Sequence, residues 1–263
     1  QLSAALRPFL DAGLSFPAAR QRAVETLGGN DALLAQPNCI LAVEYCKALL
    51  HRNSAIRPLP VRRTGDYHAQ ELNQQAPSAT ALRAAIEAGR PWLGAVPEAA
   101  TPAMRDAAAH NWQLGQRAVL ARLRAMPREE YAALPHGSEG LWSRFFRAAR
   151  SEASVSGILE AVKSRRYAYT RVSRLLCCAY LGLEQRQLDA SAPYLRVLGF
   201  RPRGQALLRR MRDEGEIPLV HAGSRAPDRA YEELEARCAD LYALCGPEPE
   251  YGALRRARCI RLV

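Results

Sequence analysis

The sequence has no apolar run long enough to cross a membrane as a helix. Its longest, Leu175–Leu183, is nine residues, where a bilayer span takes roughly 20. No charged-then-apolar leader opens the chain, so no export signal is read. The seven cysteines (Cys39, Cys46, Cys177, Cys178, Cys238, Cys245 and Cys259) are odd in number and include no C-x-x-C pair. That argues against a disulfide scaffold or a zinc ribbon and leads to the expectation of a reducing, cytoplasmic setting. The five histidines show no H-E-x-x-H spacing, and neither a G-x-S-x-G nor a Walker string occurs. Lysine is nearly missing as well: Lys47 and Lys163 stand alone, and arginine supplies the rest of the 37 basic residues. With alanine abundant, the plain explanation is a GC-rich genome, so arginine richness alone is no RNA signal. The first residue is Gln1 and no methionine precedes Met104, which leads us to expect a partial or trimmed sequence.

What is present is globular. The 263 residues are 48% hydrophobic, with 37 basic against 26 acidic side chains and a net charge of +11, enough for one large domain or two modest ones. The position of the charge says more than its total. Residues 163–212 hold twelve basic and two acidic side chains, nearly the whole surplus. A concentrated cationic stretch attracts a polyanion, with counterion release supplying affinity. At its heart is Lys163-Ser-Arg-Arg-Tyr-Ala-Tyr-Thr-Arg-Val-Ser-Arg174, where Tyr167 and Tyr169 alternate with cations. Guanidinium and aromatic groups together suit phosphates and unstacked bases. A solvated arginine-rich helix face is the plainer alternative.

Most of the chain has helical spacing. Helices are expected over 2–11, 18–27, 40–51, 78–88, 102–111, 113–125, 138–150, 153–163, 168–182, 203–213 and 227–243. Ser15 and Asn38 are expected as N-caps. Strands are expected at 56–63, limited to a sheet edge by Pro58 and Pro60, and at 194–200 and 217–221. Glycine and proline over 89–102 mark a boundary. Residues 1–95 therefore read as part of an α/β unit and 100–263 as a mainly helical domain.

Chemistry is suggested at one helix start. Ser78-Ala-Thr-Ala-Leu-Arg83 would place Ser78, Thr80 and Arg83 around unpaired first-turn amides, a place that can hold phosphate; Ser78 could equally just cap its helix. Asn38 and the group Arg63, Tyr67 and His68 flank expected elements, the latter where loops after strands line crevices. Glu44 and Lys47, three apart, form an expected surface pair.

Seven strings in order carry a resemblance. They are Gly13-Leu-Ser-Phe-Pro-Ala-Ala-Arg20, Pro37-Asn-x-Ile-Leu-x-x-Glu-Tyr-x-Lys-Ala-Leu49, Arg63-x-x-x-Tyr-His68, Ser78-Ala-Thr-Ala-Leu-Arg83, Glu139-Gly-Leu141, Lys163-Ser-Arg-Arg-Tyr-x-Tyr-Thr-Arg171 with Arg174, and Tyr194-Leu-Arg-Val-Leu-Gly-Phe200. Together they resemble the bacterial tRNA(Met) cytidine acetate ligase family of the HIGH-type nucleotidyltransferase superfamily. The resemblance implies a partial Rossmann-like nucleotidyltransferase domain over 1–95, followed by a mainly helical tRNA-binding domain over 100–263. It implies acetate activated by ATP, with Mg2+, as acetyl-adenylate. Acetyl transfer to N4 of the wobble cytidine of elongator tRNA(Met) would follow.

By position, Asn38 and Arg63 match the family's ATP contacts, and Ser78, Thr80 and Arg83 match its phosphate motif. Lys163, Arg165, Arg166, Arg171 and Arg174 would grip tRNA, with Tyr167 and Tyr169 as stacking partners. Two departures stand out. The family's H-x-G-H signature is absent, so the chain is expected to lack the family's N-terminal part and to hold half of the nucleotide site. Ala42 also stands where the family has Gly. A non-catalytic RNA-binding module and a small-substrate nucleotidyltransferase are the rival readings; the cationic window weighs against the second.

Overall fold

A computed structural model describes the chain except residues 35, 63–64, 66–68, 107–109 and 263. The chain divides into two compact units, Gln1–Ala108 and Ala109–Val263.

In the first unit, α1 (Leu2–Asp11) packs on α2 (Phe16–Thr26), which meets a 3-10 turn at Asp31–Leu34 that in turn touches α3 (Pro37–His51). Then come α4 (Ala79–Glu87), a 3-10 turn at Glu98–Ala100 and α5 (Thr101–Asp106). The buried residues of α2 and α4 are alanines four apart, Ala19 and Ala23, and Ala81 and Ala85, which puts each pair on one helix face. The expected strand at 56–63 is not found among the described residues: residues 54–62 carry no regular structure. Pro58 and Pro60 remove two ladder donors, and Ile56, Leu59 and Val61 are exposed. The Asn38 cap also needs correction, because Pro37 at the first helical position moves the cap back to Gln36 and leaves Asn38 inside the first turn.

The second unit is built around a helical core. Helices α6 (Gln116–Ala125), α7 (Arg128–Ala132), α8 (Leu141–Ser151), α9 (Val155–Val162) and α10 (Tyr169–Leu181) supply it. Val155, Ile158, Leu159 and Val162 on α9 and Val172, Leu175, Leu176 and Ala179 on α10 are all buried, the one-face spacing of an amphipathic helix. Gly182, at φ +66, ends α10 in a left-handed conformation that a side chain would resist. Tyr131 closes the core floor, its hydroxyl donating to the Leu123 carbonyl at 2.7 Å.

After α11 (Gln185–Asp189) come four short strands and three helices: β1 (Leu195–Val197), β2 (Gly199–Phe200), α12 (Pro202–Glu214), β3 (Leu219–His221), α13 (Arg229–Ala243), α14 (Ala253–Arg256) and β4 (Ile260–Arg261). The expected strand 194–200 is divided because its halves have different partners. Parallel pairing joins β1 to β3 and β2 to β4. Tyr194, Val220 and Ala226 form a second small core, with Tyr231 against it.

That core carries a pH signature. Burial, then donation to the Glu235 carboxylate, pushes Tyr194 up to about 12, and burial does the same for Tyr180. A phenol that holds its proton longer when folded stabilises the fold below pH ~10, the unfolded value. That contribution is lost as pH rises through about 12. Alkaline titration at the tyrosinate absorbance band should therefore show Tyr194 and Tyr180 ionising late, with Tyr131 also held up by burial. Tyr194→Phe should remove one of them and flatten the alkaline loss of stability.

Candidate functional site

In the first unit, the helix-start candidates fall into two kinds. Ser78 is 1% exposed; its Oγ accepts from the Ala81 amide at 3.0 Å and donates to the Ala69 carbonyl at 2.6 Å. Both hydroxyl functions are thus engaged, and the cap reading describes Ser78. It fixes where α4 begins, and Ser78→Ala should lower the unit's stability by about 1 kcal/mol in urea unfolding. Thr80 and Arg83 are exposed on α4, three apart and so on one face. No acidic partner for Arg83 is found among the described residues. Asn38 is likewise exposed, in the first turn of α3. Arg63, Tyr67 and His68 lie outside the described residues. Glu44 holds Lys47 at 2.7 Å, as expected, and also Arg20 of α2 at 2.9 Å, so the surface pair is part of a bridge between α2 and α3.

The second unit brings together two strings that sequence treated separately. Glu139-Gly140 forms the entry to α8, and residues 163–168 join α9 to α10; the two meet through Tyr167 and Arg171. The Tyr167 hydroxyl donates to the Glu139 carbonyl at 2.6 Å. Arg171 reaches four acceptors: the His136 carbonyl through Nε at 3.2 Å, Glu139 Oε2 through Nη1 at 3.0 Å, and through Nη2 the Ser138 carbonyl at 3.2 Å and its Oγ at 2.8 Å. The loop so held has positive φ at His136 (+64), Glu139 (+61) and Gly140 (+81). Two non-glycine residues in that region are strained, and the guanidinium fork is what keeps them there. Burial first, then Arg174 and Arg171, holds the His136 pKa below its usual value.

This geometry corrects the Tyr167 expectation. Tyr167 is 9% exposed and packs in the core, so its ring is not free to stack on a base; the exposed Tyr169, at 44%, is. Arg171 is mainly occupied with the loop. Lys163, Arg165, Arg166 and Arg174 are exposed. Their carboxylate contacts are loose, Lys163 to Glu160 and Arg166 to Glu139, each at 3.8 Å. Exposed pairs of this kind contribute little, which leaves the cations available to an incoming polyanion. The sequence could not show that Tyr167 is buried, because its partner lies 28 positions away. Among the described residues no group of three metal-ligating side chains occurs, and no helix is long and apolar enough to cross a membrane.

The chain is similar to known proteins. The HIGH Nucleotidyl Transferase family model matches residues 1–256. The tRNA(Met) cytidine acetate ligase of Halothermothrix orenii is 32% identical over 241 residues, covering 82% of this chain and 56% of the relative. That of Clostridium kluyveri is 31% identical over 269 residues, covering 94% and 64%. This chain therefore spans about 56 to 64% of the length of these curated relatives. Among solved structures, Thermotoga maritima TmcAL in its apo form I is similar over 99% of this chain and 70% of its own, with a TM-score of 0.84 and 23% identity. The form bound with alpha-thio ATP gives a TM-score of 0.78. At that identity the likeness establishes the fold. It bears out the expected nucleotidyltransferase-type α/β fold with predominant helix. With the family model running through both units, the chain belongs to the HIGH nucleotidyltransferase family.

Proposed function

We propose that this chain is part of an ATP-dependent tRNA(Met) cytidine acetate ligase. The observation that carries the reading is the family match continuing from the nucleotidyltransferase-like unit into the unit bearing the arginine band. One protein would then hold both a phosphate-binding helix start and a surface for a polyanion. Curated relatives named for this ligase activity, and a neighbouring structure bound with an ATP analogue, support it.

In the proposed reaction an acetate oxygen attacks the α-phosphorus of ATP, giving acetyl-adenylate and pyrophosphate. The cytidine N4 amine then attacks the acetyl carbonyl and AMP leaves. No protein nucleophile is needed, so catalysis consists of positioning and charge stabilisation. Asn38 and Arg63 would contact ATP. Thr80 and Arg83 would meet charge moving onto pyrophosphate, on a helix start that Ser78 fixes. The first turns of α3 and α4 carry no carboxylate, so Mg2+ accompanying ATP would be held there by the phosphates and water rather than by acidic side chains.

The test is acetylation of tRNA(Met) by the protein purified from its native gene, with labelled acetate and ATP, alongside acetate-dependent ATP–pyrophosphate exchange. Formation of N4-acetylcytidine is expected, with Arg83→Ala slowing exchange while leaving tRNA binding intact. Tight tRNA binding without exchange would favour the non-catalytic RNA-binding module. Exchange without tRNA binding would favour a small-substrate nucleotidyltransferase.

A further inference from the structure

A cleft in the second unit is formed by residues outside the Lys163–Arg174 segment. It encloses about 210 Å³ and is lined from β1 by Arg196, from the turn after β3 by Gly223, Ser224 and Arg225, from α13 by Arg229, and from α14 by Arg255. The turn follows a strand of a parallel pair, the end at which ligands enter α/β units. Gly223 makes it possible: its φ is +79, and a Cβ there would collide with the Ala257 carbonyl.

Three donors on residues that line this cleft have no protein acceptor among the described residues. Arg196 Nε is buried without a hydrogen-bond partner, although its Nη2 binds Glu235 at 2.8 Å. The Ser224 hydroxyl and the Arg225 guanidinium are exposed and unpartnered among the described residues. The remaining arginines are engaged, Arg229 with Glu232 and Arg255 with Glu233 at 2.7 Å. The two lining carboxylates are thus neutralised, and the free valence of the cleft is all donor and cationic. The start of α13 is already capped by Asp228, so the helix end adds nothing to it. An exposed hydroxyl and an unpaired guanidinium in a cationic cleft, over a buried guanidinium N–H that no protein acceptor meets, suit an oxyanion. The volume falls below the roughly 300–1,000 Å³ of sites that enclose whole small ligands. A single phosphate group fits such a space, whether free or carried on a polymer, and the RNA-binding reading favours the polymer.

We infer that this cleft seats one backbone phosphate of the bound RNA, a second anchor apart from the Lys163–Arg174 band; the inference rests on the RNA-binding reading. The test is the salt dependence of binding to a tRNA(Met) anticodon-arm RNA, in the full chain. Arg225→Gln should lower the slope of log K against log salt by about 0.7 to 0.9, the loss of one phosphate contact. Ser224→Ala should weaken binding with the slope unchanged, and Arg225→Lys should restore the slope. An intact slope in Arg225→Gln, in a protein whose slope falls in Lys163→Ala/Arg165→Ala/Arg166→Ala, would overturn the seat and leave the band. So would amide shifts at Ser224 and Arg225 in NMR spectra caused by inorganic phosphate but not by the RNA, which would mark a small-anion site. No RNA binding by the unaltered chain would end both readings.

Discussion

Replacing Lys163, Arg165 and Arg166 together by alanine should weaken tRNA binding about a hundredfold at 0.15 M salt and lower the salt slope by about two to three. All three side chains are exposed, and the only acidic contacts found for them among the described residues are the two at 3.8 Å. Each can therefore release one counterion from the nucleic acid without first breaking a strong pair. Thermal unfolding should barely change, since surface substitutions away from special features stay within about half a kcal/mol. Filter binding across a salt series reads the first effect and circular dichroism the second. A weakened complex with an unchanged slope would mean the band acts by shape and not by charge.

Arg171→Ala should behave in the opposite way, because this arginine is a clamp. Removing it strands the His136 and Ser138 carbonyls and frees a loop with two strained non-glycine residues. The expected cost is about 2 kcal/mol, which in a unit of this size lowers the melting temperature by roughly 4–8 °C. Arg171→Lys should recover little, since an ammonium cannot span four acceptors in fork geometry. Differential scanning calorimetry checks this. A variant that binds tRNA poorly yet melts like the parent would return Arg171 to the RNA surface.

The contrast between these two variants shows where sequence reasoning succeeded. The helices were legible because each records its buried face at helical spacing, as in Val155, Ile158, Leu159 and Val162. The Ser78 cap follows from local backbone chemistry. The short helices α7 and α11 escaped, as five-residue elements carry too few positions to show a period. The strand expected at 56–63 rested on β-branched and apolar composition, while strand pairing depends on a partner elsewhere in the chain.

By itself, the sequence determined the helical character, the concentration of cationic charge over 163–212 and the ordered strings that the family shares. Each of these is written in neighbouring residues. Only the tertiary structure decided which members of the band face solvent. It placed Tyr167 in the core, assigned Arg171 to a loop 32 to 35 positions away, and gathered Arg196, Ser224 and Arg225 around one cleft. Burial and hydrogen-bond partnership are relations between distant segments, set by how helices and strands pack, and no local window contains them.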